Sequence, residues 1–149
     1  PLTAIIWQPI NQTNDCIAII NSFQDGCSGF VEGFCEEYSL EYMYVSFSNH
    51  HTYYSDFAMF YYYKAGKERT VYAMSDEGKW EFFQKGEILP FENESYYKKR
   101  TISNRLNEEI ILEYLHKMGV DLAGQDFWQA KNDSFLFRMI REEVSLSQE

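Results

Sequence analysis

The alternation of apolar and polar positions predicts an antiparallel β-sheet across the middle of the chain. Four segments there are rich in Tyr, Phe, Trp, Val and Met, the residue types that suit a pleated, half-buried surface. These predicted strands are residues 41–47, 56–63, 68–75 and 79–84. Glycines 66 and 78 lie in the short connections between the last three strands and supply the positive φ that a tight hairpin needs. Both faces of the first two strands are apolar, so either helices cover both faces or one aromatic face is left for a partner.

Apolar side chains at helical spacing predict a helix on each side of this sheet. Residues 104–118 give the strongest pattern, with Ser103 or Asn104 as the N-cap and Gly119 as a left-handed stop. Residues 27–39 give a second helix, which places its three glutamates on the outer face. These glutamates are Glu32, Glu36 and Glu37. The side chains expected to face inward from this helix are Phe30, Val31, Phe34, Cys35 and Tyr38.

The remaining segments are short, and two of them fit more than one element. Residues 2–7 predict a strand that ends before Pro9, and residues 93–98 predict a single helical turn. Residues 14–23 fit a short helix, or a strand over residues 16–20. Residues 134–143 fit a strand, which we favour, or a helix.

Length and composition indicate one folded domain spanning residues 1–149. A chain of this size buries roughly 70% of the surface that its unfolded form exposes, which is enough core without disulfides or a metal. The predicted fold class is α+β, with an antiparallel, aromatic-rich β-meander of about four to six strands. N-terminal helices and the strong helix near 104–118 are expected to cover this sheet.

The sequence also predicts a compartment. No apolar run reaches the roughly 18 residues that a membrane helix requires, and the first residues lack the basic segment of a signal peptide. The chain contains three cysteines, an odd number, and a protein of this size does not need disulfide bonds for its stability. The cysteine content therefore favours a reducing environment. We therefore expect a cytoplasmic protein.

Charge is distributed unevenly along the chain, which has a formal net charge of −10. Residues 1–63 contain seven acids and no Lys or Arg, whereas residues 64–149 contain 13 cations and 16 anions. The first segment cannot neutralise itself locally, so its field repels nucleic acid and anionic membranes and attracts basic partners. Acidic surfaces also aid solubility, which is the simpler reading of a low isoelectric point.

No motif indicates catalysis, a metal or a cofactor. The cysteines and His50, His51 and His116 lack the spacing of metal ligands, and the acidic neighbours of the cysteines suppress thiolate formation. Nucleophile-elbow and phosphate-binding signatures are also missing from the sequence. We therefore expect neither an enzyme nor a cofactor, with a Cys/His enzyme of unfamiliar type as the remaining catalytic reading.

Residues 96–100 are basic with interleaved aromatic rings, a composition that suits contact with phosphate. The rest of the chain repels a nucleic-acid backbone, so we expect these cations to pair with nearby acids such as Glu92 and Glu94. Neither nucleic acid nor a membrane is an expected partner.

The chain resembles, in general style, the immunity proteins of bacterial polymorphic-toxin and contact-dependent growth inhibition systems. The segments that carry this resemblance are residues 80–87, 89–92, 96–100 and 113–115. This resemblance implies a cognate toxin, often a basic nuclease domain, that is captured by acidic and aromatic surface residues. No residue roles come from the resemblance. The candidate contacts follow only from the negative field of residues 1–63: Asp25, Glu32, Glu36, Glu37 and Asp56 as charges, with Tyr53 and Tyr54 as aromatic anchors.

The predicted function is therefore occlusion of a basic toxin by a cytoplasmic immunity protein. An alternative stays open, in which a generic intracellular regulatory domain binds a protein or small ligand through an exposed aromatic face.

Overall fold

The computed structural model describes residues 2–22, 28–48 and 56–139, and these form two antiparallel sheets with helices. The elements in chain order are β1 (Leu2–Trp7), β2 (Ala18–Asn21), α1 (Ser28–Glu37), β3 (Tyr42–Phe47), β4 (Phe57–Lys64), β5 (Lys67–Asp76), β6 (Lys79–Lys85), α2 (Glu94–Tyr97), α3 (Glu108–Lys117) and β7 (Phe135–Met139). Two short 3-10 turns lie at Ile102–Asn104 and Gln125–Trp128. The predicted α+β class and aromatic meander are confirmed.

The meander is a four-stranded sheet with strand order β3-β4-β5-β6. The β4–β5 and β5–β6 hairpins each have a two-residue loop in which both residues have positive φ, at 65–66 and 77–78. This is the conformation of a type I′ turn, whose twist matches that of the flanking strands. The glycines that marked these turns in the sequence therefore fix the register of the sheet.

One face of this sheet, here called the core face, packs against the helices after β6. Phe60 on β4 and Val71 on β5 are fully buried there, opposite Ile111 and Tyr114 of α3. The Phe60 and Tyr114 rings meet edge to face with their centroids 5.9 Å apart. This cluster of large apolar side chains is the main core of the molecule.

Helix α3 begins later than the sequence predicts. The side chain of Asn107, and not Ser103 or Asn104, caps the helix by accepting a hydrogen bond of 3.0 Å from the backbone N–H of Ile110. Residues 102–104 form a 3-10 turn instead. Gly119 ends the helix region with φ +84°, as predicted.

The second sheet joins the two ends of the described chain in the order β2-β1-β7. Residues 18–21 form β2, so the helix predicted over 14–23 is wrong, and the alternative strand over 16–20 is confirmed for residues 18–20. Residues 135–139 likewise form a strand, while position 23 and positions 140–143 lie outside the described residues. The Trp7 ring packs edge to face on Phe127 and donates its indole N–H to the Phe127 carbonyl at 2.7 Å, which anchors β1 beside the turn that follows α3.

Candidate partner-binding surface

Helix α1 is rotated about its axis relative to the prediction from the sequence, so that only two of its five predicted inward residues, Val31 and Cys35, face the sheet. Cys35 is buried and Val31 is half-buried, but Phe30 is 78% exposed, Phe34 48% and Tyr38 58%. The helix contacts β3 and β4 on the face opposite to the core face, here called the outer face. That face already carries large tyrosine rings, so the small side chains of Val31 and Cys35 fit against it better than phenylalanine rings. The prediction that Phe30, Phe34 and Tyr38 face inward is wrong.

Glu32 also differs from its predicted position. It is half-buried and lies beside Tyr42 and Tyr61 of the outer face, not on the outside of the helix. Burial raises the pKa of Tyr61 to about 12, and the neighbouring Glu32 carboxylate adds to the effect because it disfavours a second negative charge. Glu32 is therefore unavailable as a fully exposed contact.

The outward side of α1 carries two parallel rows of residues, each at four-residue spacing. Phe30, Phe34 and Tyr38 form one row, which we call the aromatic ridge, and the Phe34 and Tyr38 rings lie 4.7 Å apart. Gly29 and Gly33 form the adjacent row, which we call the glycine groove. A Cβ added at either glycine would meet no atom of the described residues within 4 Å. Side-chain rows of this spacing are the ridges and grooves through which helices pack against one another.

Carboxylates accompany this surface. Glu36 and Glu37 are exposed and form no ion pair with any other residue in the described ranges. Glu41, just after α1, pairs with Lys64 at 2.9 Å. Asp56 is half-buried at the start of β4, where its carbonyl accepts a hydrogen bond of 2.7 Å from the backbone N–H of Ser75. Structure thus brings Glu36 and Glu37 together on α1 and places Asp56 on a different element.

Three of the predicted contacts, Asp25, Tyr53 and Tyr54, lie outside the described residues. Their predicted roles stay predictions. The described chain instead supplies aromatic rings that the sequence argument assigned to the core, Phe30 and Phe34. The two glycines on the same helix were the available signal, because glycine in a helix costs about 1 kcal/mol relative to alanine unless something requires it.

Five cations of the second part of the chain form ion pairs with acids from that same part. These pairs are Lys67–Glu87 at 3.7 Å, Arg69–Glu92 at 2.8 Å, Lys85–Glu68 at 3.5 Å, Lys98–Glu94 at 2.8 Å and Lys117–Glu113 at 2.6 Å. A sixth described pair, Lys64–Glu41, joins the second part to residues 1–63. Glu41 is therefore the acid of residues 1–63 that the described ion pairs neutralise.

The rest of the outer face is also partly open. Tyr72 and Phe83 stack with their ring centroids 5.2 Å apart and their planes at 19°, and Phe83 is 42% exposed. Met59 and Met74 lie on the same face and are half-buried. This second aromatic patch extends toward β6, away from the edge that α1 contacts.

Other chemistry is sparse in the described residues. A shallow cleft of about 440 Å³ lies between β4, the segment around Pro90 and the end of α3, with Glu41 and Lys117 among its lining residues. Burial raises the pKa of the Cys35 thiol. The pKa of the Cys16 thiol is also raised, mainly by burial and to a smaller extent by the charge of Asp15. Both thiols are therefore poor nucleophiles. Over the ranges described, no group of His, Cys, Asp and Glu is arranged to hold a metal ion. None of the helices described has the length and apolar character needed to cross a membrane.

The fold and surface define an α+β protein built from two antiparallel sheets, with an exposed aromatic and acidic helix. Comparisons of the chain with protein-family models, with curated proteins and with solved structures find no match.

Proposed function

We propose that this protein is a cytoplasmic immunity protein that binds a cognate basic toxin domain, such as a nuclease, and neutralises it by occluding its active site. One observation carries the proposal. Helix α1 presents exposed aromatic rings beside Glu36 and Glu37, in a segment of 63 residues that has no Lys or Arg. The protein would act by binding and would perform no chemistry.

The two kinds of side chain supply different parts of such an interaction. A nuclease site is basic because it must hold phosphate, so a negative surface is drawn to it and the association rate rises. Exposed aromatic rings that become buried at the centre of an interface slow dissociation. Phe30 and Phe34 are placed for the second role, and Glu36 and Glu37 for the first.

A second candidate function is supported by the stacked Tyr72 and Phe83 rings. An intracellular regulatory domain would use that aromatic patch on the outer face to bind a peptide or small ligand. Charge would matter little to such binding.

The test uses the C-terminal domain of the protein encoded immediately upstream, purified and titrated with the chain. We expect tight binding that inhibits the activity of that domain and weakens as salt rises from about 50 to 500 mM, the range over which screening acts. Glu36→Gln/Glu37→Gln is expected to slow association and flatten the salt dependence. Glu108→Gln/Glu109→Gln, an exposed pair on α3, is the matched control and is expected to leave both unchanged.

Affinity that does not vary with salt, together with full binding by the Glu36/Glu37 variant, would contradict the electrostatic mechanism. An upstream product that neither binds nor harms cells would contradict the immunity function as a whole.

A further inference from the structure

We propose that the outward face of α1 seats a single helix of the toxin domain, one that carries an apolar row flanked by Lys or Arg. The aromatic ridge and the glycine groove are the contact surface. This inference rests on the proposed function, and it identifies the surface and the chemistry of its occupant.

Ridge and groove together form half of a helix–helix packing surface. Phe30, Phe34 and Tyr38 follow the four-residue spacing of a ridge, and Gly29 and Gly33 leave the adjacent row empty. When the four-residue ridges of two helices interdigitate, their axes cross at about −50°. A partner helix in this geometry would place one row of its apolar side chains in the glycine groove and receive the aromatic ridge in its own groove.

Within the described residues, nothing in the fold requires glycine at these two positions. Neither glycine has a positive φ, and no described atom lies within 4 Å of where a Cβ would stand. Glycine on an exposed helix face weakens the helix, since alanine is the better helix former. A backbone that approaches α1 closely from outside would require small residues at both positions.

Charge indicates what kind of helix fits. Glu37 follows Gly33 in the groove row, Glu36 lies on the other side of that row, and Glu32 is half-buried between the helix and the sheet. An acidic partner would be repelled, whereas Lys or Arg beside an apolar row would reach these carboxylates at the rim of the contact. An anionic membrane, which would also accept exposed phenylalanines, is repelled by the same charges.

The three-stranded sheet is a less specific surface. Ile5, Ile20 and Leu136 are exposed on one of its faces, and Ile19 and Phe135 on the other. Few charges accompany these side chains, so nothing selects the chemistry of a partner for them. Helix α1 is the place where exposed rings coincide with exposed carboxylates that form no ion pair within the described ranges.

The experiment measures binding of the same upstream-encoded domain to a set of variants by calorimetry, with thermal unfolding of each variant as a check of folding. We expect Phe30→Ala/Phe34→Ala to weaken binding by about 30-fold or more, as for residues at the centre of an interface. Gly33→Leu, which fills the groove, is expected to weaken it at least about tenfold. Gly33→Ala is the matched control for helix propensity; it is expected to raise the melting temperature and to change affinity less than the leucine variant does.

Each outcome decides a separate point. If the wild-type chain does not bind, the proposed function fails and this inference fails with it. If the wild-type chain binds and the α1 variants bind equally well, the function stands and the α1 surface is wrong. Loss of binding in Tyr72→Ala/Phe83→Ala alone would assign the contact to the outer face of the sheet instead.

Discussion

Arg69 and Glu92 form an ion pair with both side chains inside the protein, 2% and 0% exposed. The guanidinium donates to both carboxylate oxygens, at 2.9 Å through Nε and 2.8 Å through Nη2. Its remaining donors reach Gln84 and the Gly86 carbonyl, and the Tyr97 hydroxyl donates to Glu92. Each nitrogen of the guanidinium donates a hydrogen bond, so the ion pair holds the segment after β6 against strand β5.

Breaking this pair is expected to be costly. Glu92→Ala leaves a buried guanidinium without its counter-charge, and such losses lower the free energy of unfolding by about 3–5 kcal/mol. Urea unfolding measures the change. The control is Glu87→Ala, which removes an exposed partner of Lys67 and is expected to change stability by less than about 1 kcal/mol. Equal effects of the two substitutions would mean that Arg69 finds water or another acceptor.

The N-cap of α3 gives a second test. Asn107→Ala removes the side-chain acceptor for the Ile110 N–H and is expected to lower the free energy of unfolding by about 1 kcal/mol. Asn104→Ala serves as the control, since the structure gives Asn104 no capping role. Thermal or urea unfolding distinguishes them, and a larger loss from the Asn104 variant would restore the helix start predicted from the sequence.

Two glycines with equally open surroundings are expected to respond in opposite directions to alanine. Gly33→Ala is expected to stabilise the protein by about 1 kcal/mol, because alanine is the better helix former. Gly78→Ala is expected to destabilise it by about 1–2 kcal/mol, because its φ of +80° is unfavourable for a residue with a Cβ. Paired unfolding curves check both signs, and destabilisation by Gly33→Ala would show that the groove is needed for folding.

High pH is expected to unfold the protein through its tyrosines. Burial, together with a hydrogen bond to Glu41, raises the pKa of Tyr62 to about 12, whereas the ordinary value is 10.0. The unfolded state therefore loses its proton first, so this contribution to stability is complete below about pH 10 and is lost as pH rises toward 12. Urea unfolding between pH 8 and about pH 12 measures the decline.

Tyr62→Phe provides the comparison for that decline. It removes the ionisable group while keeping the ring, so its stability is expected to fall less steeply over the same interval. Parallel slopes for the two proteins would assign the alkaline loss to other tyrosines, of which Tyr61 has a similarly raised pKa.

Local patterns were enough to predict the meander, because alternation along each strand and the glycines at 66 and 78 specify hairpins between neighbours. Helix α1 was also predicted, but its rotation was not. Phe30 and Cys35 both lie on apolar rows of the helix. Which of the two rows faces the sheet depends on the tyrosine rings of β3 and β4 that the helix contacts. The burial of Arg69 could not be predicted from local sequence patterns either, because its partner Glu92 lies 23 residues further along the chain.

The candidate surface was predicted in part. The absence of cations from residues 1–63 pointed to Glu36 and Glu37, and both are exposed. Glu32 was misplaced because a helical pattern gives spacing but no absolute orientation. The exposure of Phe30 and Phe34 was not predicted, because an apolar residue on a helix is more often buried.

Strand β1 lies between β2, its neighbour in sequence, and β7, which comes more than a hundred residues later. During translation β2 follows β1 closely, yet the other edge of β1 cannot pair with β7 until residue 139 has emerged. While the residues between β2 and β7 are being synthesised, that edge is open to pairing with another nascent chain. Production of the intact protein should therefore depend strongly on how densely ribosomes are loaded on its message.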